Sequence, residues 1–402
     1  MYNIHIGAEN ALTFPAGFRA AGVACGIKDD SRDIMLLLAD RVCASAGAFT
    51  KNNVKAAPVI YSQNIVKSGQ AQAIIINSGV ANACTGDEGM HKCVEMAQTT
   101  AENTGISPDL VLVCSTGVIG RQLPMDKIKN GIGIANRALS VNGGHDAALA
   151  IMTTDTHPKE VAITLNTSAG IVKIGGVAKG SGMIAPNMAT MLSVITTDAQ
   201  IDPEILQNIL SRVVDRTYNC VTVDGDTSTN DTVLMLASGV TNIRLEQGTR
   251  DLAIFEDGLL KLATELAKMI ARDGEGATKL VEITVAGAAD SKGAATIART
   301  IANSPLVKTA IFGNDPNWGR VLAAAGRAGV YFDQYHVDLD FAGTPVVRNG
   351  QPIEFNKTAA IQAMKTKEVK ILLTLGEGAF ESTVWTCDFS YDYVRINADY
   401  TT

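Results

Sequence analysis

The stretch "KEVAITLNTSAGIVKIGGVAKGSGMIAPNMATMLSVITTDA" (residues 159–199) decides the fold prediction. Two β-rich runs meet at the Ser-Ala-Gly turn of residues 168–170, which is typical of a hairpin. A third β-rich run, residues 192–197, follows a turn built from glycine and small residues. We expect the three runs to share one sheet. Thr190 lies just before the third run, so it is either the start of a strand or a nucleophile held at a strand edge.

Strand-like and helix-like segments alternate on both sides of this stretch, which predicts an α/β fold with many short strands. Further strands are expected at residues 71–79, 110–120, 278–288 and 307–315. Helices are expected at residues 85–105, 124–140, 203–215, 256–276 and 291–304. Residues 330–397 read mostly as short strands. The loop "RDGEGAT" at 272–278 predicts a domain boundary, with domains at 1–275 and 276–402.

Composition argues against several classes of protein. The chain has 402 residues and a formal net charge of −7, without a basic stripe, which argues against nucleic-acid and anionic-membrane partners. A run of about 18 apolar residues is absent, so we expect no membrane span. The seven cysteines are odd in number and irregularly spaced, which favours a reducing, cytoplasmic location. The five histidines do not cluster, and we predict no metal site.

Polar, glycine-rich loops end many of the predicted strands and helices. They are "NSGVANACTG" (77–86), "CSTGVIG" (114–120), "MTTDTHPK" (152–159), "KGSGMIAPNMAT" (179–190), "VDGDTSTND" (223–231), "RDGEGATK" (272–279) and "FGNDPNWGR" (312–320). Each loop taken alone is explained by turn-forming residues. Because so many recur at element ends, we expect them to build a shared polar site.

The chemistry of that site is narrowed by what the sequence lacks. A nucleophile-elbow GxSxG motif and a phosphate-binding GxxxxGK[ST] motif are both absent. One option that needs no histidine is a threonine activated by its own α-amino group. The Ala189-Thr190 step suits this chemistry, because a small residue precedes the hydroxyl and the turn contains glycines. The same step is also an ordinary way to begin a strand, and the residues alone leave both explanations open.

Long motifs in a fixed order then resemble the glutamate N-acetyltransferase (ornithine acetyltransferase) family of arginine biosynthesis from end to end. The motifs lie at residues 15–28, 77–86, 115–120, 152–159, 179–199, 222–232, 272–279, 312–320 and 396–402. The resemblance implies a four-layer αββα-type sandwich of the aminopeptidase/ornithine-acetyltransferase kind, with a smaller C-terminal α/β part. It also implies self-cleavage between Ala189 and Thr190. An α segment (1–189) and a β segment (190–402) would result, with two of each in the particle.

The family's chemistry carries over to individual residues. Thr190 would accept acetyl from N2-acetylornithine as an ester and pass it to glutamate, with Thr116 and Gly117 forming the oxyanion hole. The substrate contacts implied by the resemblance are Thr153, Lys179, Thr190, Glu275, Asn397 and Thr402. The repeated threonines make Thr154 and Thr156 rivals of Thr153. Without the resemblance, Lys179 would read as a solvated loop lysine and the C-terminus as an ordinary polar tail.

Two other functions stay open at this level. An N-terminal-nucleophile aminopeptidase or amidohydrolase of the same fold would use water as the acceptor in place of glutamate. A binding protein without catalysis would need neither the chain break nor a reactive threonine. We predict no cofactor, and the use of acetyl-CoA as a second acetyl donor is left open because no motif specific for coenzyme A is visible.

Overall fold

The computed structural model of the chain describes residues 2–185 and 191–399. Packing divides these residues into two compact units. The first unit lies within residues 2–219 and 226–266, and the second within 220–225 and 267–399. This division falls between residues 266 and 267, whereas the domain boundary at 275/276 stays a prediction.

The first unit contains eleven strands and six helices among its described residues. The strands are β1 (Tyr2–Ile6), β2 (Phe18–Val23), β3 (Ile34–Phe49), β4 (Gln70–Val80), β5 (Val111–Val118), β6 (Lys159–Thr167), β7 (Gly170–Lys179), β8 (Leu192–Thr197), β9 (Gln200–Ile201), β10 (Thr232–Ala237) and β11 (Arg244–Leu245). The helices are α1 (Ala57–Val66), α2 (Gly86–Thr104), α3 (Met125–Ala138), α4 (Gly144–Ala150), α5 (Pro203–Arg216) and α6 (Arg250–Arg272). Residues 267–272 of α6 are grouped with the second unit.

A nine-stranded sheet organises the first unit. Its order is β1-β6-β7-β8-β10-β3-β4-β5, and β2 pairs with β3 beside this path. The predicted hairpin and the strand after it are neighbours, since β6 pairs with β7 and β7 pairs with β8, both antiparallel. In the second of these pairs Lys179 lies opposite Leu192. The expectation that residues 159–199 contribute three strands to one sheet is therefore confirmed.

The long strand β3 divides this sheet into two layers. Its first half pairs with β2 and β4, and its second half pairs with β10, with a register shift between Leu38 and Cys43. Leu37 of β3 joins an apolar cluster shared with Val194 of β8 and with β10. The next residue towards the N-terminus, Leu36, joins a different cluster with Met96 of α2 and with α3. Alternate residues of a strand face opposite sides of the sheet. The layer formed by β2, the first half of β3, β4 and β5 therefore packs against helices on one face and against the other sheet layer on the opposite face.

Helices also cover the outer face of that other half. Val177 of β7 belongs to the core between the two sheet layers. Its neighbour Gly176 packs closely on Leu262 of α6, and Gly258 of α6 packs on Leu165 of β6. The layers therefore run helix, sheet, sheet, helix, which confirms the predicted four-layer αββα architecture of the α/β class.

The second unit has its own α/β core. Its strands are β12 (Leu280–Ala288), β13 (Asp338–Phe341), β14 (Thr344–Arg348), β15 (Gln351–Pro352), β16 (Glu368–Thr374) and β17 (Phe380–Cys387). Its helices are α7 (Ser291–Ala302), α8 (Pro305–Phe312), α9 (Trp318–Gly326), α10 (Lys357–Met364) and α11 (Tyr391–Asp399). The sheet order is β15-β14-β13-β16-β12-β17. Apolar side chains of α7, α8 and α9 pack with this sheet in one buried cluster.

One strand prediction for the second unit is wrong. The apolar run at 307–315 was expected to be a strand, but residues 305–312 form helix α8. Pro305 occupies the first turn, and the Ser304 hydroxyl accepts a hydrogen bond from the Val307 amide at 3.4 Å, so the run starts as a capped helix. A short apolar run does not distinguish a strand from a buried helix by periodicity. The C-terminal region was expected to be mostly short strands, and its described residues contain the short strands β13 to β17 together with the helices α10 and α11.

Candidate active site

Three of the predicted loops meet at the ends of β4 and β5, which run parallel. The Ser115 hydroxyl donates to Asn77 Oδ1 at 2.6 Å. The buried amide of Asn230 donates to the Ala81 carbonyl at 2.6 Å and to the Ser115 carbonyl at 2.8 Å. Since one side-chain amide joins loops 77–86, 114–120 and 223–231, the expected convergence of these loops is confirmed. Asn230 itself was not singled out from the sequence.

Lys179 reaches the same strand end from β7. It is the last residue of β7 and is only 8% exposed, so the reading of Lys179 as a solvated loop lysine is wrong. Its Nζ lies 3.3 Å from Thr116 Oγ1. An ammonium group can only donate, so the hydroxyl oxygen must accept this hydrogen bond. The hydroxyl proton of Thr116 is then left to donate to another acceptor.

Gly117, the other predicted oxyanion-hole residue, occupies a position that requires glycine. Its φ is +131°, a conformation that L side chains rarely adopt. It lies opposite Gly79 in the ladder between β4 and β5. An added Cβ would lie 2.2 Å from the carbonyl carbon of Gly79. The absence of a side chain therefore allows the backbones of the two strands to approach at the place where the oxyanion hole is predicted.

Asp155, which sequence reasoning missed, connects this site to two further loops. Its Oδ1 accepts hydrogen bonds from Lys159 Nζ and from the Gly180 amide, both at 2.6 Å. Its Oδ2 accepts from the Thr153 amide at 3.1 Å and lies 4.0 Å from Lys179 Nζ. The sequence placed Asp155 inside a recognised motif, "MTTDTHPK", but nothing local distinguishes it from a turn-forming aspartate.

The charge of Asp155 is stabilised in spite of its burial. Burial by itself raises the pKa of a carboxyl group, and the Asp155 side chain is fully buried. The ammonium groups of Lys159 and Lys179, with the hydrogen bonds from Lys159 and the Gly180 amide, outweigh that effect and hold the pKa of Asp155 well below its usual range. The carboxylate is therefore ionised at neutral pH.

A third lysine adds positive charge near Thr153. Lys28 Nζ donates to the Met152 carbonyl at 2.7 Å. Burial lowers the pKa of Lys28, Asp33 opposes that shift, and the ammonium of Lys179 lowers the pKa further. Lys28 and Lys179 therefore act electrostatically on one another. This grouping of ammonium groups near a hydroxyl suits a substrate that carries a carboxylate.

The loop that leads to the predicted cleavage point has unusual backbone angles. Gly180 has φ +151° and Met183, a residue with a side chain, has φ +56°. Positive φ at a non-glycine residue is a source of local strain. Ala189 and Thr190, the predicted cleavage pair, lie outside the described residues. Chain description resumes at residue 191, and β8 begins at Leu192.

In the second unit, the structure brings together two other predicted substrate contacts. Asn397, on α11, donates from Nδ2 to Glu275 Oε2 at 2.9 Å. A Cβ on Gly276 would lie 2.4 Å from the Tyr393 amide nitrogen, so α11 packs directly on this loop. The interpretation of the C-terminus as an ordinary polar tail is wrong as far as Asp399, because residues 391–399 form helix α11. Thr402 lies outside the described residues.

The two predicted loops of this unit also contact one another. Lys279 Nζ donates to Asn314 Oδ1 at 2.5 Å and to the Ile311 carbonyl at 2.8 Å. These bonds join loop 272–279 to loop 312–320.

Within residues 2–185 and 191–399, no group of three or more histidine, cysteine, aspartate or glutamate side chains is placed to hold a metal ion. Over the same described ranges, the helices are too short or too polar to cross a membrane.

Comparisons with known proteins show similarity to one family along almost the whole chain. The model of the ArgJ family matches residues 19–402. The arginine biosynthesis bifunctional protein ArgJ of Symbiobacterium thermophilum is 50% identical over 395 residues, covering 97% of this chain and 98% of that protein. The protein of the same name from Caldanaerobacter subterraneus subsp. tengcongensis is 46% identical over 399 residues, covering 98% of this chain and 99% of that protein. A crystal structure of arginine biosynthesis bifunctional protein argJ from Bacillus halodurans superposes with a TM-score of 0.52 at 45% identity, covering 52% of this chain and 100% of that chain.

Proposed function

The chain belongs to the ArgJ family of acyltransferases in arginine biosynthesis, and on this premise we propose that it transfers the acetyl group of N2-acetylornithine to glutamate. The reaction runs through an acetyl ester on Thr190, after self-cleavage between Ala189 and Thr190. The observation that carries the proposal is the buried contact between Lys179 and Thr116 beside Gly117. It supplies a cation and hydrogen-bond donors at one strand end.

The strand that follows the predicted nucleophile in sequence reaches the same strand end as Lys179. Leu192 lies opposite Lys179 in the pairing of β7 with β8. We propose that Thr190, which precedes the described residue 191, is the nucleophile that works with an oxyanion hole at this strand end.

Self-cleavage creates the base that the transfer needs. The Thr190 hydroxyl attacks the Ala189 carbonyl, which replaces the peptide bond with an ester and frees the Thr190 α-amino group. Water then hydrolyses the ester, which releases the Ala189 carboxylate and restores the Thr190 hydroxyl. That amine then accepts the hydroxyl proton as Oγ1 attacks the acetyl carbonyl of N2-acetylornithine. The tetrahedral intermediate expels ornithine, which takes up a proton. In the second step the amine of glutamate attacks the ester and regenerates Thr190.

Each step forms a tetrahedral oxyanion, and we propose that Thr116 and Gly117 stabilise it. Because the Thr116 oxygen accepts from Lys179, its own proton is available to the oxyanion. The Gly117 amide is the second proposed donor. Removing one such donor from an enzyme typically slows catalysis about 10²- to 10³-fold.

Substrate recognition follows from the charges. We assign the substrate carboxylate to Lys179 and propose Thr153 as a further contact. Glu275, whose carboxylate accepts a hydrogen bond from Asn397, is proposed to bind the ornithine ammonium. Thr402 remains a proposed contact from the family resemblance.

The remaining properties are also proposals. The enzyme needs no bound cofactor, acts in the cytoplasm and assembles from two α and two β segments. Acetyl-CoA is a candidate second acetyl donor. An assay with acetyl-CoA and glutamate shows whether it donates its acetyl group.

Intact-mass analysis under denaturing conditions tests the nucleophile. The wild-type precursor of 42.2 kDa should disappear in favour of two fragments, one of which begins with Thr190. Thr190→Ala should remain at full length and transfer no acetyl group. Thr167→Ala, in the turn of the β6–β7 hairpin, is the matched control and should be cleaved normally. Acetyl transfer by uncleaved Thr190→Ala would refute the mechanism, and release of acetate in place of acetylglutamate would identify a hydrolase.

A further inference from the structure

Asp155 is the point at which the site-forming loops of the first unit are held together. It accepts hydrogen bonds from the Thr153 amide in its own loop and from the Gly180 amide in the loop that leads towards residue 190. The same carboxylate binds Lys159 at 2.6 Å and faces Lys179 at 4.0 Å. None of the roles assigned above uses this carboxylate.

The charges explain why a carboxylate is needed at this place. The side chains of Asp155 and Lys159 are fully buried, and that of Lys179 is 10% exposed. A buried ammonium without a counter-ion is strongly unfavourable. Asp155 compensates Lys159 through a direct hydrogen bond and lies farther, at 4.0 Å, from Lys179 Nζ.

Two of the groups near Lys179 belong to the site-forming loops. Its Nζ lies 4.0 Å from Asp155 Oδ2 and 3.3 Å from Thr116 Oγ1. A long, flexible lysine side chain loses its fixed position when one of its anchors is removed. Displacement of Nζ would release the Thr116 oxygen, and the hydroxyl proton would no longer be directed away from Lys179.

We propose that Asp155 is a positioning residue for this acyl transfer, acting through Lys179 on the Thr116 hydroxyl and through the Gly180 amide on the loop that carries the cleavage point. This inference rests on the proposed function and extends it to a residue outside the set of expected substrate contacts. Asp155 itself does not touch the reacting atoms.

The test compares Asp155→Asn with the double variant Asp155→Asn/Lys159→Met. The double variant removes one negative and one positive charge together, so it leaves no uncompensated ammonium at position 159. Asp198→Asn is the matched control, because Asp198 is also a buried carboxylate in the first unit and accepts hydrogen bonds from the Lys173 and Ala16 amides. Three quantities are measured for each variant: the rate of self-cleavage, the kcat and KM of the cleaved fraction, and the urea midpoint.

We expect Asp155→Asn to slow self-cleavage and to lower the kcat of the cleaved enzyme by up to about 100-fold, the loss that a misplacement of about 1 Å can produce. The KM for both carboxylate-bearing substrates should rise. The double variant should recover the urea midpoint but not the kcat or the cleavage rate. Asp198→Asn should resemble wild type in both rates.

Two results would overturn the inference. If the double variant regains wild-type kcat and cleavage rate, Asp155 serves only to neutralise Lys159. If Asp198→Asn loses as much activity as Asp155→Asn, the effect is a general loss of a buried carboxylate.

Failure of the proposed function is seen separately, in the wild-type protein. If wild type releases acetate, the acceptor is water, and the cleavage rates still decide the role of Asp155.

Discussion

Gly117→Ala tests the proposed oxyanion hole because an added Cβ has no room at this position. The Cβ would lie 2.2 Å from the carbonyl carbon and 2.5 Å from the carbonyl oxygen of Gly79, and 2.6 Å from the Val80 amide nitrogen. All three atoms are backbone, so a side-chain rotation cannot relieve the contact. A non-glycine residue at φ +131° adds strain of about 1–3 kcal/mol.

The magnitude follows from these two effects. Overpacking adds about 1–3 kcal/mol to the backbone strain, so Gly117→Ala should lose about 2–6 kcal/mol of unfolding free energy. The β5 strand must move away from Gly79 to accept the methyl group, and the Gly117 amide moves with it. A displacement of about 1 Å in a catalytic donor predicts a fall in kcat of about 100-fold.

Gly120→Ala is the matched control in the same loop. Gly120 also has a positive φ, +81°, but a Cβ there meets no atom within 4 Å. Gly120→Ala should lose only the unfolding free energy that comes from backbone strain, about 1–3 kcal/mol, and its kcat should be close to that of wild type. The assay measures acetylglutamate formation per mole of folded, cleaved enzyme, with urea unfolding in parallel. Equal kcat values for the two alanine variants would refute the assignment of Gly117 to the oxyanion hole.

Three further predictions follow from other contacts. The pKa of Asp155 is lower in the folded protein than in the unfolded chain, so the unfolded chain binds more protons near pH 4. The stability that this group contributes is therefore present above its unfolded pKa of about 3.9 and is lost as the pH falls below that value. The urea midpoints of Asp155→Asn at pH 6 and pH 3 should differ less than those of wild type. Gly276→Ala should displace α11, separate Asn397 from Glu275 and raise the KM for acetylornithine. The control Gly329→Ala, at a position with positive φ and open space around it, should leave this KM unchanged. An unchanged KM in Gly276→Ala would contradict the role of Glu275. Ser304→Ala should lower the thermal midpoint through a loss of about 1 kcal/mol in the N-cap of α8, and an unchanged midpoint would show that this cap contributes nothing.

Much of the fold was predictable because it follows from local sequence patterns. The hairpin of residues 159–180 and the strand at 192–197 follow from β-branched runs interrupted by small turn residues. The apolar run at 307–315 failed because its length and composition suit a buried helix equally well. The division of the sheet into two layers by β3 also could not be read, because it depends on which strands pair with each half.

The sequence alone determined the alternation of strands and helices in much of the chain, the polar loops at their ends and, through long motifs, the resemblance to an acyltransferase family. From the sequence, Lys179 could be either a solvated loop residue or part of a site, and Asp155 was not identified as a site residue. Only the tertiary structure decided both, because Lys179 and Thr116 are 63 positions apart in the chain and Asp155 and Gly180 are 25 apart. Contacts at such separations depend on strand order and register, which are set by the burial of the whole core rather than by any local pattern.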